Sequence, residues 1–119
     1  LVALLQKMGY SVPVDLKVLM DVSDTIVTTI MKKSQEINSV SIASGLAGVF
    51  SGFALPVKRA AAKFKVDPRD IFMELGKRRV VGGQEDMVVE VAMELARLAE
   101  LSRLAELSAR QAKQNNNDT

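Results

Sequence analysis

The longest weakly polar run of the chain is residues 40–59, VSIASGLAGVFSGFALPVKR, which has no charged residue before Lys58. Gly45, Gly48 and Gly52 recur in it at steps of three and four, so that on a helix they share one face. Because a glycine inside a helix costs about 1 kcal/mol relative to alanine, three of them indicate close approach by another helix, backbone or ligand. The stretch predicts one central helix, which Pro56 kinks near Gly52.

The opposite face of this helix carries large apolar residues, which could anchor a core or border a passage. They are Ile42, Leu46, Val49, Phe50 and Phe53.

Composition limits the classes of function. At 119 residues, with 48% hydrophobic and 25% charged residues, the chain predicts one folded domain. A net charge of +2 and few aromatic residues argue against nucleic-acid binding. There is no Cys, which excludes disulfides and fits the cytoplasm, and no His, the commonest general base and metal ligand. The sequence thus favours a binding domain over a free-standing enzyme, with no metal site of its own.

The start of the chain suggests a piece of a longer polypeptide. Residues 1–9 resemble the last turns of an amphipathic helix that stops at Gly9, and they lack the charged lead of a secretory signal. No membrane span is expected, because the apolar run at 40–57 is only about 18 residues long, rich in Gly and Ser, and interrupted by Pro56.

Two further helices follow from capping residues. Asp15 can cap a helix over residues 16–33, and residues 32–37 read as a loop. Asp21 and Asp24 on that helix are read as solvated carboxylates rather than metal ligands. Asp67 followed by Pro68 predicts the start of a short helix that ends at Gly76.

The last helix is predicted from Gln84 to about Ala112. Gly82 and Gly83 precede it in a tight turn, where Glu85 and Asp86 would repel a phosphate. A repeat, RLAELS at 97–102 and 103–108, places leucines on a ridge that winds around the helix. The expected fold is therefore an all-α bundle of about five helices with a long C-terminal helix. Its parts are a domain over 1–96, a helical extension over 97–112 and a disordered tail over 113–119.

Four segments carry a resemblance to a known family. They are MGYSVPVDLKVLMDVSD at 8–24, SGLAGVFSGF at 44–53, AAAKF at 60–64 and RDIFMELGKRRVVGGQEDM at 69–87. Over residues 1–96 the chain resembles the C-terminal communication domain of 4-hydroxy-2-oxovalerate aldolases, and VGGQEDM is the most specific motif. The equivalent domain of isopropylmalate synthases is the alternative within the superfamily.

The resemblance implies a helical domain behind a TIM barrel that uses a divalent metal, manganese or magnesium. Such enzymes cleave 4-hydroxy-2-oxoacids to pyruvate and an aldehyde, and the small domain docks an acylating aldehyde dehydrogenase and helps to channel the aldehyde. The catalytic residues and metal ligands lie in the barrel, so none is assigned in this chain. The resemblance implies two groups of residues instead. Those at the border of the channel and active site are Leu46, Gly48, Phe50, Ser51 and Gly52, and those at the partner interface are Gly45, Phe53, Gly82, Gly83, Gln84, Glu85 and Asp86.

The chain departs from the family pattern at two of these positions. Where the family has Tyr-Ala-Gly-Val-Tyr, this chain has Leu46-Ala47-Gly48-Val49-Phe50. The second tyrosine of the family borders the channel mouth, so Phe50 keeps the ring but has no hydroxyl to offer a substrate. The extension beyond residue 98 also exceeds the usual length of the family.

Two other hypotheses compete with the channelling domain. The first is a self-associating helical module that uses the leucines at 95–107. Since helices made to cover a barrel would expose apolar surface without it, a homo-oligomer, most simply a dimer, is expected in either case. The second is a nucleic-acid binder that uses Lys58, Arg59, Lys63 and residues 77–79, which the low net charge disfavours.

Overall fold

The computed structural model describes residues 1–33 and 37–117, which contain helices and no strands. The α-helices are α1 (Val2–Lys7), α2 (Leu16–Val22), α3 (Thr28–Ile30), α4 (Ser39–Ala47), α5 (Ala54–Phe64), α6 (Pro68–Lys77) and α7 (Asp86–Asn117). Five of them have seven or more residues within the described ranges. The predicted all-α bundle with a long C-terminal helix is confirmed.

The helix predicted over residues 16–33 is capped as expected but is less regular. Val18 donates its N–H to Asp15 Oδ1 at 3.2 Å. Residues Ser23–Val27 form a π-helical turn between α2 and α3, and the helix ends at Ile30. The hydroxyls of Thr25 and Thr28 donate to carbonyls four residues earlier, a bond that competes with regular helical geometry. Of the loop predicted at 32–37, residues 34–36 lie outside the described residues.

The prediction of one kinked central helix is wrong, because the run at 40–59 forms two helices. Gly48 adopts a left-handed conformation, with φ of 68°, and ends α4. The N–H of Val49 bonds to Ser44 O and that of Gly48 to Gly45 O, the Schellman pattern of a helix end. Pro56 is the third residue of α5, where the missing N–H has no helical partner to lose.

The core is centred on α6, which packs against α4, α5 and α7. Asp67 caps α6 and Pro68 is its first residue, as predicted. The buried side chains of this helix are Ile71, Phe72 and Leu75. Around them lie apolar residues of the neighbouring elements: Ala43, Val49, Phe53, Val57, Ala60, Ala61, Val80, Val88, Val91 and Ala92.

A network of charges fixes α2 against the start of α6. Arg69 lies 2.7 Å from Asp67 through Nη2 and 2.7 Å from Asp21 through Nη1. Hydrogen bonds from Arg69 lower the pKa of the Asp67 carboxyl below its ordinary value. Lys17 joins the network through Asp67, at 3.7 Å, and also pairs with Asp70 at 3.1 Å. Asp21 is therefore a structural ion-pair partner rather than a freely solvated carboxylate.

Helix α7 extends well beyond the bundle. Its buried residues are Val88, Val91 and Ala92, and residues 97–117 are exposed throughout. The helix was expected to end near Ala112 and to be followed by a disordered tail. It continues to Asn117, so residues 113–117 are helical, since no glycine or proline interrupts it there. Residues 118 and 119 lie outside the described residues.

Candidate functional site

The bend between α4 and α5 presents an aromatic side chain to solvent. After Gly48 the backbone runs extended through Phe50 and enters a 3-10 turn at Ser51–Phe53. Val49 and Phe53 are buried on either side, whereas the Phe50 side chain is 64% exposed. Phe50 is thus held outward between two anchors in the core.

Local hydrogen bonds make the backbone of this bend rigid. Ser44 Oγ donates to Val49 O at 3.2 Å, and the N–H of Phe53 donates to Phe50 O at 3.1 Å. Lys7 reaches across from α1 and donates Nζ to Leu46 O at 3.1 Å. These contacts, which no motif in the sequence indicates, set the direction in which Phe50 points.

A groove of about 180 Å³ lies along the same bend. Its lining includes the polar side chains of Ser41, Ser44, Ser51 and Lys58, and Phe72 contributes to its wall. Ser51 therefore belongs both to the bend and to this groove, next to Phe50 in the chain. Phe50 adjoins the groove through Ser51 but does not itself line it.

The predicted channel-border residues come together at the bend. Leu46 is half-buried on α4, and Gly48, Phe50, Ser51 and Gly52 follow it as exposed residues. Gly45, predicted at the partner interface, lies on the exposed side of α4.

Phe53 does not belong to a partner surface. It was expected at the interface together with Gly45, but its side chain is 1% exposed and packs in the core. On one continuous helix Phe53 and Phe50 would share a face. The break at Gly48 instead turns Phe50 outward and Phe53 inward.

The second predicted group forms the turn that leads into α7. Gln84 accepts the N–H of Val81 through Oε1 at 3.0 Å and donates its own N–H to Val81 O at 3.2 Å. Gly83 has a φ of 92°, which glycine tolerates best. All five residues from 82 to 86 are exposed. This turn is ordered by its own hydrogen bonds and open to contact.

The two carboxylates on the second helical segment have separate structural partners. Asp21 pairs with Arg69, and Asp24 accepts a hydrogen bond of 2.6 Å from the hydroxyl of Ser39. Within residues 1–33 and 37–117 no group of three or more His, Cys, Asp and Glu side chains could hold a metal ion. In that same part of the chain, no helix combines the length and the apolar character needed to cross a membrane.

Comparison with known proteins agrees with the resemblance. The family model of the DmpG-like communication domain matches residues 35–97. The 4-hydroxy-2-oxovalerate aldolase of Bacillus thuringiensis is 51% identical over 98 residues, which are 82% of this chain and 29% of that protein. The aldolase of the same name from Pelotomaculum thermopropionicum is 54% identical over 97 residues, 82% of this chain and 28% of that protein.

The chain thus spans less than a third of the length of these relatives, and the family match ends within α7 at residue 97. The matched segment covers more than half of the chain and contains the bend, the core helix α6 and the turn at 82–86. On these grounds the chain belongs to the family of DmpG-like communication domains.

Proposed function

We propose that this chain is the communication domain of a 4-hydroxy-2-oxovalerate aldolase and has no chemistry of its own. The enzyme would cleave a 4-hydroxy-2-oxoacid to pyruvate and an aldehyde in a barrel that binds manganese or magnesium, in the cytoplasm. The domain would dock an acylating aldehyde dehydrogenase and border the path of the aldehyde. The observation that carries the proposal is the exposed Phe50 at a rigid bend within the family match.

The bend has the properties that such a role requires. An aldehyde passage needs an apolar wall that does not react, and Phe50 supplies a ring without a hydroxyl. Exposed aromatic side chains on rigid backbone are also common anchors at protein interfaces, because they lose little conformational entropy on binding. The turn at 82–86 offers exposed amides and two carboxylates to a docking partner.

Phe50→Ala should weaken transfer between the two enzymes. In the full-length aldolase together with its acylating aldehyde dehydrogenase, we expect the channelled fraction of aldehyde to fall about fivefold, because a wall of the passage is lost. The measurement compares conversion of aldehyde made by the aldolase with capture by an external aldehyde trap. Tyr10→Ala, which removes an aromatic side chain of similar exposure, is the matched control and should leave transfer unchanged.

Two results would contradict this proposal. One is an aldolase that does not associate with the dehydrogenase at micromolar concentrations in sedimentation velocity. The other is equal channelling by wild type and Phe50→Ala.

A second candidate, self-association through α7, is favoured by a separate observation. Four leucines of the segment outside the family match are about half-exposed: Leu98, Leu101, Leu104 and Leu107. Most helical stability in proteins comes from tertiary packing of an apolar face, and residues 97–117 of this helix are exposed throughout. Between residues 97 and 106 two arginines and two glutamates leave no net charge, so two copies would not repel each other. We propose that a second copy of this chain covers the leucines.

Sedimentation equilibrium of the 119-residue chain tests this second candidate. We expect a dimer at concentrations near 100 μM, typical of a modest interface, and a monomer for the Leu101→Lys, Leu104→Lys double variant. Ala99→Lys, Ala109→Lys adds the same charge to the same helix and should leave the dimer largely intact. A wild-type monomer across the whole concentration range would show the candidate to be wrong.

A further inference from the structure

The ring of Phe50 lies over the α-carbon of Gly52. A Cβ placed on Gly52 would lie 2.9 Å from Cδ1 and 3.3 Å from Cζ of that ring, and closer still to Cε1. Non-bonded carbon atoms pack favourably at about 3.5–4.0 Å, so the ring occupies the space that any side chain at position 52 would need.

The backbone at Gly52 does not itself require glycine. Positive φ angles among the glycines occur at Gly9, Gly48 and Gly83, but not at Gly52. An alanine could therefore adopt the 3-10 turn at Ser51–Phe53 without strain. What excludes a side chain at this position is the Phe50 ring alone.

The Phe50 ring, rather than the backbone of the bend, would move to make room for a side chain at position 52. The backbone on either side is held by the buried side chains of Val49 and Phe53 and by the hydrogen bond from Phe53 N–H to Phe50 O. The ring itself is largely exposed and turns about two side-chain bonds. A methyl group at position 52 would thus displace the ring and leave the bend in place.

We propose that Gly52 is the positioning residue of Phe50 and thereby a determinant of which aldehydes the domain passes. The inference rests on the proposed function, in which Phe50 borders the aldehyde path. With glycine at position 52 the ring rests against this residue, and its position sets how far the ring extends from the bend beside Ser51, a residue that lines the groove. A side chain at position 52 lifts the ring toward the path, which narrows it most for longer aldehydes.

The run at 40–59 contains its own control. Gly45 lies in α4, and a Cβ placed on it meets nothing within 4 Å. Gly45→Ala therefore adds the same methyl group in α4, before the break at Gly48, without touching the ring. Gly48→Ala cannot serve as a control, because alanine would be strained at the positive φ of this position.

The position of the ring can be tested on the 119-residue chain by NMR. We expect upfield ring-current shifts of the Gly52 Hα protons and nuclear Overhauser effects to the Phe50 ring, and Phe50→Leu should abolish both. In Gly52→Ala the contacts of the ring with position 52 should change while the melting temperature does not fall. In Gly45→Ala they should persist. Unshifted Gly52 protons, or an unchanged ring in Gly52→Ala, would overturn the inference.

The effect on transfer is tested in the assembled aldolase and dehydrogenase with a short and a longer straight-chain aldehyde. Gly52→Ala should change the ratio of their channelled fractions by about twofold or more, and add nothing in a Phe50→Ala background. If Phe50→Ala alters transfer but Gly52→Ala does not, the positioning role is wrong and the proposed function stands. If neither variant alters transfer, the proposed role of Phe50 is wrong.

Discussion

Phe72→Ala is expected to lower the free energy of unfolding by about 3–5 kcal/mol, the usual cost of removing a buried aromatic ring. Phe72 is fully buried on α6, the helix against which α4, α5 and α7 pack, so no single neighbour can move in to fill the cavity. Since small domains are stable by only about 5–15 kcal/mol, this loss would be a substantial share of the stability of the domain. Urea denaturation followed by circular dichroism measures the loss.

Met73→Ala is the matched control for this prediction. It is the next residue of α6 but is substantially exposed, so its truncation should change the free energy of unfolding by about 0.5 kcal/mol or less. Phe72→Leu, which keeps most of the buried volume, should fall between the two variants. A loss below about 1 kcal/mol for Phe72→Ala would mean that α6 is not the centre of the core.

This core residue also supports the candidate site. Phe72 lies in the wall of the groove that Lys58 and Ser51, a residue of the bend, also line. A variant that loosens the packing of Phe72 should therefore disturb the groove before the helices unfold. If such a variant lost aldehyde transfer, the loss would show that Phe72 supports the groove, not that Phe72 contacts an aldehyde.

The sequence predicts α6 well because its signals are local. Asp67 accepts the N–H of Arg69 at 2.9 Å, and Pro68 occupies the first helical position, where its missing N–H costs nothing. Ile71, Phe72 and Leu75 have the three-four spacing of a buried helix face. Each of these features can be read within one turn of helix, so tertiary packing is not needed to find them.

The break at Gly48 could not be predicted in the same way. Three glycines at helical spacing fit a smooth helix face, and a single glycine also fits a helix end. The choice depends on which residues are buried: on one continuous helix Val49, Phe50 and Phe53 would share a face, whereas the structure buries Val49 and Phe53 and exposes Phe50. Which residues become buried is decided by packing against α6, which lies later in the chain. The spacing of residues within 40–59 does not contain that information.

The same limit explains which site residues were predicted and which was not. Phe50 and the turn at 82–86 are exposed, as a contact surface requires. The resemblance implies Phe53 at the partner interface, and a continuous helix would place it beside Phe50. Because the helix is broken, the two rings point in different directions. The contact of the Phe50 ring with Gly52 could be found only from the three-dimensional structure.

Gly76→Ala is expected to lower the free energy of unfolding by about 2 kcal/mol, although alanine is the better helix former by about 1 kcal/mol. Gly76 was predicted to end α6, but it lies inside the helix, which continues to Lys77. A Cβ there would lie 2.5 Å from Ala47 O and 2.9 Å from Ala47 Cβ. Thermal and urea unfolding measure the change.

A side chain at position 76 would meet the backbone of Ala47, which cannot rotate away as a side chain can. The loss of stability in Gly76→Ala should therefore be large. Ala47 is the last residue of α4 and is fixed by the left-handed Gly48 that follows, so the two helices must separate to admit a methyl group. Gly45→Ala is the control, since its Cβ meets nothing and should stabilise the chain by up to about 1 kcal/mol. If both variants were stabilising, α4 and α6 would not be in close contact. Gly76 would then not be the residue that allows α4 and α6 to approach each other closely.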